Sequence, residues 1–431
     1  MTRATLRNGM RVIVRENRLS PSVAIRLCLQ TGSVQDPPGR DGLALAVGLL
    51  LDEGTRRRTG KQIAERIDFL GAETDVLVNR HATVLVASAL REHLEEILRL
   101  QSETVREPNF PAREIAKIRG QMMTGVLEEE HDTRAAALRL LSRRLYPRGH
   151  PYRRTGGGDR KSVRAIARND IVRFHKDRYH PSGAILVIVG DVEEKRALRI
   201  AERVYGGWKR AGDPAPPSVP DAKGPAEPAA DAAVIPDKAQ CDLVFGWVGI
   251  RRNDPDFYRA AVLNQILGAF GMGGRLGNRI REEEGLAYSV HGSVHASIGA
   301  GPFLIRAGVH PDHVIRAVRI IREEVGRIRR ELAAPRELRE VRDFLIDSIP
   351  LRLETNDGVA AFLLREEYYG LGPDYLDRYR EEIRGVTREE VRRVARRLLR
   401  KDGWAVAAAG TPLPEPLERT LPGRRRARSR A

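Results

Sequence analysis

The chain is patterned twice. Residues 22–30 and 241–249 are strand-like runs, each followed by a helix of small and apolar residues, 42–52 and 257–270. Each half continues with a predicted strand pair, 72–78 with 82–89 and then 285–297 with 302–309. An amphipathic helix follows in both, 91–105 and 311–331. Each half closes with a helix, "RNDIVRFHKDRY" or "TREEVRRVARRLL", and an apolar strand, 183–192 or 403–410. The intervening "AGDPAPPSVPDAKGPAEPAADAAVIPDK", 211–238, is rich in Pro and Ala and reads as an extended linker. A period of about 210 residues exceeds any solenoid repeat. The pattern predicts an α+β protein of two homologous domains, each a mostly antiparallel sheet with helices packed on one face. The expected boundaries are 1–210, the linker 211–238, 239–417, and a basic tail 418–431.

Composition fits this picture. A chain of 431 residues suits two domains, and 41% hydrophobic with 31% charged residues is a globular balance. No apolar run approaches membrane-spanning length, and "MRVIVRE" near the start reads as a strand after an Asn-Gly turn. A cytoplasmic protein without membrane attachment is expected. Cys28 and Cys241 fall in strand-like segments and read as buried free thiols. The net charge of +17 is mostly arginine, five of them in the closing "GRRRARSRA". Elsewhere, bases alternate with acids along helices, the pattern of a solvated face. With 5% aromatics and no nucleic-acid motif, no nucleic-acid partner is expected.

The segment "GLALAVGLLLDEGT", 42–55, is unusual because Leu43 to Leu51 carries no polar side chain, yet Gly48 interrupts it. A helix apolar on every face is a buried helix, and a central glycine costs it about 1 kcal/mol. The longer "TGSVQDPPGRDGLALAVGLLLDEGT" is similar to the entry segment "G-x-A-H-x-x-E-H-x-x-x-x-G-T" of the pitrilysin/insulinase (M16) family of zinc peptidases. "FHKDRYHPSGAILVIVGDV" resembles that family's "F-x-x-x-Y-x-P-x-N-x-x-L-V-V-x-G-D" close, and "GGRLGNRIREEEGLAYSV" its "S-R-L-x-x-x-I-R-E-x-x-G-L-A-Y-S-V" signature. The resemblance to the small two-domain form covers nearly the whole chain. It implies that the family's first zinc histidine falls on Leu45, its catalytic glutamate on Gly48 and its second histidine on Leu49. The third ligand, about 76 positions further on, falls on Gly125. Leucine has no lone pair and glycine no side chain, so these positions cannot grip a metal. Glu128, three places on, cannot hold one alone. The family's substrate strand "N-A-x-T-x-x-E" resembles "DVLVNRH", with Asp75 and His81 in place of Asn and Glu.

No other histidine grouping suggests a metal site. His291 and His295 lie four apart on an expected strand, about 13 Å from each other. His310 and His313 flank Asp312 at a strand-to-helix passage, and His150, His175 and His180 read as surface or packing residues. In the second half the resemblance places the family's active-site arginine and tyrosine on Arg281 and Tyr288. Both are donors suited to a carbonyl oxygen gaining negative charge. The plainer reading pairs Arg281 with Glu282, Glu283 or Glu284 and packs Tyr288 in a strand. The run "GAFGMGG", 268–274, is a turn before a helix; a glycine-rich loop also occurs in the non-catalytic subunit of mitochondrial processing peptidase.

The resemblance therefore implies a non-catalytic subunit of a heterodimeric zinc peptidase. The chain itself would hold no cofactor; zinc and H-x-x-E-H would reside in the partner subunit. This chain would supply half of a peptide chamber together with Arg281 and Tyr288. The alternatives are a homodimeric peptide-binding protein, a structural subunit without peptidase activity, and a nucleic-acid binder working through the arginine tail.

Overall fold

A computed structural model describes residues 1–209, 217–271 and 273–422. They form two compact units: Met1–Val126 with Thr155–Ser218 and Ile349–Tyr375, and Leu127–Arg154 with Val219–Ser348 and Leu376 onward. No helix among the described residues is long and apolar enough to cross a membrane.

The first unit is built on a six-stranded sheet of β1 (Thr2–Thr5), β2 (Arg11–Glu16), β3 (Ser22–Leu29), β4 (Glu73–Val78), β5 (Thr83–Leu90) and β6 (Ile185–Gly190). Its order is β1-β2-β6-β3-β5-β4, leaving β4 at an edge. Only β2 and β6 run parallel, with Ile13 opposite Val187. On one face, Leu27, Val12, Leu186 and Leu85 meet the helices Leu43–Leu49, Leu94–Arg106, Arg168–Arg178 and Glu194–Tyr205. Strand periodicity sends the alternate residues to the opposite face.

The second unit repeats the plan with β7 (Ala229–Val234), β8 (Cys241–Val248), β9 (Ala287–Val294), β10 (Pro302–Val309) and β11 (Trp404–Gly410), in the order β7-β11-β8-β10-β9. The parallel pair again includes the closing strand, β11 with β7 here as β6 with β2 in the first sheet, and β9 holds the edge that β4 holds in the first sheet. Strand β7 lies inside the expected linker, which is a correction. The alternating "AADAAV" pairs with the alanine-rich β11 from Ala405 to Gly410. Proline content concealed a short strand whose small residues fit an edge. Residues 211–216 of that linker, and 423–431 of the basic tail, lie outside the described residues. Both cysteines are free and buried.

The expectation of helices on one face also needs correction. The helix Asn356–Tyr368 covers the other side of the first sheet, where Val359, Ala360 and Leu363 meet Ile13, Ala24, Cys28 and Val187. Ion pairs fasten it: Arg26 grips Asp357 at 3.0 and 2.7 Å, Arg11 meets Glu367 at 2.6 Å, and Arg3 bridges Glu366 and Glu367. The helix Thr133–Leu145 plays the same part on the second sheet. A Cβ on Gly246 of β8 would come within 2.8 Å of Leu141 and 3.1 Å of Leu145. Each unit thus takes one helix from the opposite half of the sequence. This explains why every residue of β6 and β11 is buried; a strand covered on both sides reads as a continuous apolar run.

Candidate functional site

The first-half helix begins at Gly42, in the left-handed region with φ 94°. The Asp36 carboxylate accepts the N–H groups of Gly42 and Ala44, both at 2.8 Å, and so caps the helix from the loop before it. Leu43, Ala44, Ala46 and Val47 enter the core. Leu45 is half-buried against the same core, and Leu49, one turn on, is 37% exposed. The helix packs on β4, with Gly48 facing Val78. A Cβ at Gly48 would lie 2.2 Å from Cγ2 of Val78. The position aligned with the family's catalytic glutamate is therefore sterically closed to any side chain unless Val78 moves. Gly125, on the helix Ala112–His131, has no atom from beyond its own stretch of helix within 4 Å of where its Cβ would be. Leu45, Gly48, Leu49 and Gly125 supply no donor atom, and the cradle between helix and strand is filled by Val78. These residues do not fit zinc. Among the described residues no group of three His, Cys, Asp or Glu side chains could hold a metal ion.

The histidines have structural places. His175 is hydrogen-bonded to the Val105 carbonyl at 2.9 Å and stacks near Tyr179, and burial pushes its pKa down to about 4. His81 is buried beyond the end of β4, and burial with Arg80 nearby lowers it to about 4. His150 stacks on Tyr146 with 4.8 Å between ring centroids. His180 is buried. His310 and His313 face each other at 5.7 Å on a single 3-10 turn, and His295 bonds the Ser293 hydroxyl beyond the end of β9. Asp75 lies exposed on β4. An unforeseen feature is Asp52, whose carboxyl is raised to about 6 by burial and by Glu53 and Asp75. It lines a small, mostly apolar cavity with Ile63, Ile67, Val76 and Ile97. Its position directly after the apolar run is the one signal the sequence carried.

In the second unit, Arg281 lies on a π-helical turn, Asn278–Glu283, and Tyr288 on β9. The Arg281 guanidinium is 19% exposed and bonds the Glu282 carboxylate, with its Nε at 2.8 Å, which is the pairing the plainer reading expects. Tyr288 departs from that reading: it is 93% exposed. The register explains this. Ala287 pairs with Val309 and Val290 with Ala307, so Tyr288 and Ser289 stand opposite the single residue Gly308. This is a β-bulge on an edge strand, a device that re-aims a side chain. The glycine run has a packing role in part. A Cβ on Gly268 would lie 2.9 Å from the backbone nitrogen of Gly292 on β9. Gly273, at φ 115°, opens the short helix Gly274–Gly277. Met272 lies outside the described residues.

Against known proteins, two models of one family match in succession. "Insulinase (Peptidase family M16)" matches residues 11–155, and "Peptidase M16 inactive domain" matches residues 165–345. The chain belongs to the M16 peptidase family, as a member of the inactive type. A Bacillus subtilis relative named uncharacterized zinc protease YmxG is 24% identical over 93% of this chain and 96% of its own length. A Helicobacter pylori relative named non-peptidase homolog YmxG is 24% identical over 88% and 87%. A solved structure described as a peptidase M16 inactive domain from Pseudomonas fluorescens superposes with a TM-score of 0.89 at 26% identity, covering 96% of this chain and 99% of that one.

Proposed function

We propose that this chain is the zinc-free, non-catalytic subunit of a heterodimeric M16 metallopeptidase. It lends Arg281 and Tyr288 to the zinc site of an H-x-x-E-H-bearing partner, and it contributes half of the chamber in which a flexible peptide is held. Tyr288 carries this reading. An aromatic side chain 93% exposed on a bulged edge strand gains nothing for the fold. A phenol O–H there is free to donate to a peptide carbonyl oxygen as it gains charge, with a guanidinium as second donor. Closure of the Gly48 position by Val78 supports the assignment of metal chemistry to another chain. The name "non-peptidase homolog" carried by the Helicobacter pylori relative agrees with it.

The test begins with a tagged pull-down from the native cells. An equimolar companion containing H-x-x-E-H is expected. In the reconstituted complex, Tyr288→Phe should slow peptide cleavage about 100- to 1000-fold, the usual effect of removing one such donor. Cleavage at the unmutated rate would refute the role of Tyr288. Recovery of the chain alone, as a homodimer that binds peptides, would replace the heterodimer with a peptide-binding protein.

A further inference from the structure

On the helix Val314–Arg330, Arg322, Gly326, Arg329 and Arg330 follow one another at helical spacing, and the exposed Glu323 lies seven residues before Arg330 on the same side. The helix Arg388–Leu398 packs alongside, and its Arg396 donates from Nε to the Arg329 carbonyl at 2.8 Å. Beyond it, the turn carrying Arg400 and Lys401 is fixed by two buried indoles. Trp247 donates to the Arg400 carbonyl at 3.0 Å and Trp404 to that of Lys401 at 2.9 Å.

Along these helices some arginines are matched and others are not: Arg327 pairs with Glu324, and Arg393 and Arg397 with Asp256, whereas Arg319, Arg388 and Arg392 make no ion pair among the described residues. Arg329, Arg330, Arg396, Arg400 and Lys401 likewise make no ion pair among the described residues, and the Arg329 Nε is buried without a hydrogen-bond partner. Crowding by Arg396 and Arg330 adds to burial in pushing the Arg329 guanidinium below its ordinary value, and Asp402 only partly opposes this. In sequence these residues belong to helices where acids and bases alternate; in space they form a cluster with a surplus of positive charge that Asp402 only partly offsets.

We infer that this cluster is a docking surface for the phosphate backbone of a double-stranded nucleic acid. Charge complementarity favours a polyanion, and arginine suits phosphate oxygens because its planar fork donates two hydrogen bonds at once. What the patch lacks narrows the choice. None of the large exposed hydrophobic side chains among the described residues lies on it. It therefore has no apolar anchor of the kind that centres protein interfaces, no wedge for a bilayer, and no exposed ring on which single-stranded bases could stack. Interfaces with duplex DNA, by contrast, are polar and strongly basic. The inference is independent of the partner reading above.

The test is fluorescence anisotropy with a labelled 20-bp duplex and the full chain at several KCl concentrations from 50 to 200 mM. Binding with a steep negative dependence of log K on log salt is expected. The triple variant Arg329→Gln, Arg330→Gln, Arg396→Gln should reduce that slope by about 2.7, because each neutralised phosphate contributes about 0.9. The corresponding lysine triple should restore most of it, which also shows that the glutamine triple has not simply unfolded. A control triple on the first unit, Lys195→Gln, Arg196→Gln, Arg199→Gln, should leave the slope unchanged. Equal losses in the two glutamine triples would overturn the inference, since binding would then reflect net charge alone. So would no binding at 50 mM, or tighter binding of a labelled poly-glutamate peptide than of the duplex.

Discussion

Gly48 makes a sharp prediction, because two effects of known sign compete there. Replacing a helical glycine by alanine ordinarily stabilises by about 1 kcal/mol, through helix propensity. Here the added Cβ meets Cγ2 of Val78 at 2.2 Å, well inside contact distance, while the next atom, Cγ1 of Val76, is at an ordinary 3.5 Å. Forcing a methyl group into a packed interior costs about 1–3 kcal/mol. Gly48→Ala should therefore destabilise the protein by about 1 kcal/mol net. In a Val78→Ala background the clash is gone, and the same change should stabilise by about 1 kcal/mol. The coupling of about 2 kcal/mol is read from a double-mutant cycle of urea denaturation curves, with slopes compared to confirm that the unfolded states match. Two results would refute the reasoning: effects that add within about 0.5 kcal/mol, or stabilisation by Gly48→Ala in the wild type. The same close approach predicts that Leu45→His, Gly48→Glu and Leu49→His together will not create stoichiometric zinc binding, as measured by metal analysis of the purified protein.

Four further outcomes follow from the packing. Asp52 has its folded pKa raised to about 6, above the unfolded value, so the stability it contributes is full below about pH 4 and is lost as pH rises through 6. Asp52→Asn should accordingly stabilise the protein by up to about 3 kcal/mol at pH 8 and by almost nothing at pH 4, in denaturation measured at both. His81 and His175 are lowered to about 4, so their contribution is full above pH 6.5 and is lost as pH falls through 4. Each should add about 1.2 kcal/mol per pH unit to the slope of stability against pH near pH 5, and His81→Asn should remove one such share. Leu363, 3% exposed beneath the first sheet, should cost about 2–4 kcal/mol when changed to alanine. A fragment ending at residue 216 should be insoluble on expression, because it lacks the helix Asn356–Tyr368 that covers Ile13 and Val187.

Much of the architecture was legible along the chain because it is local. Alternation placed β3, β5, β8 and β10, and 3.6-residue periodicity placed Leu94–Arg106 and Val314–Arg330. The matching order of elements showed that the two halves share a plan. Strand β7 was hidden because alanine and proline mask a pattern that depends on large apolar residues. The covering helices were hidden for another reason. "NDGVAAFLLREEYY" forms a helix, but which sheet it covers is a long-range choice that periodicity does not encode. The buried run of β6 was the available clue to a second covered face.

The candidate site divides in the same way. Sequence by itself determined that Leu45, Gly48, Leu49 and Gly125 cannot ligate a metal, because donor atoms are a property of residue type alone. The family resemblance also marked Arg281 and Tyr288 as a pair worth locating. Only the tertiary structure decided the rest. Contact between helix and edge strand turned Gly48 from an oddity into a requirement set by Val78. A one-residue offset between β9 and β10 put Tyr288 into solvent, while Arg281 remained against Glu282. Two helices distant in sequence, with the turn that follows the second, gathered arginines that each look solvated into one face with a surplus of positive charge. Residue type fixes what a position can do; proximity across the fold, set by packing, fixes which neighbours it must do it with.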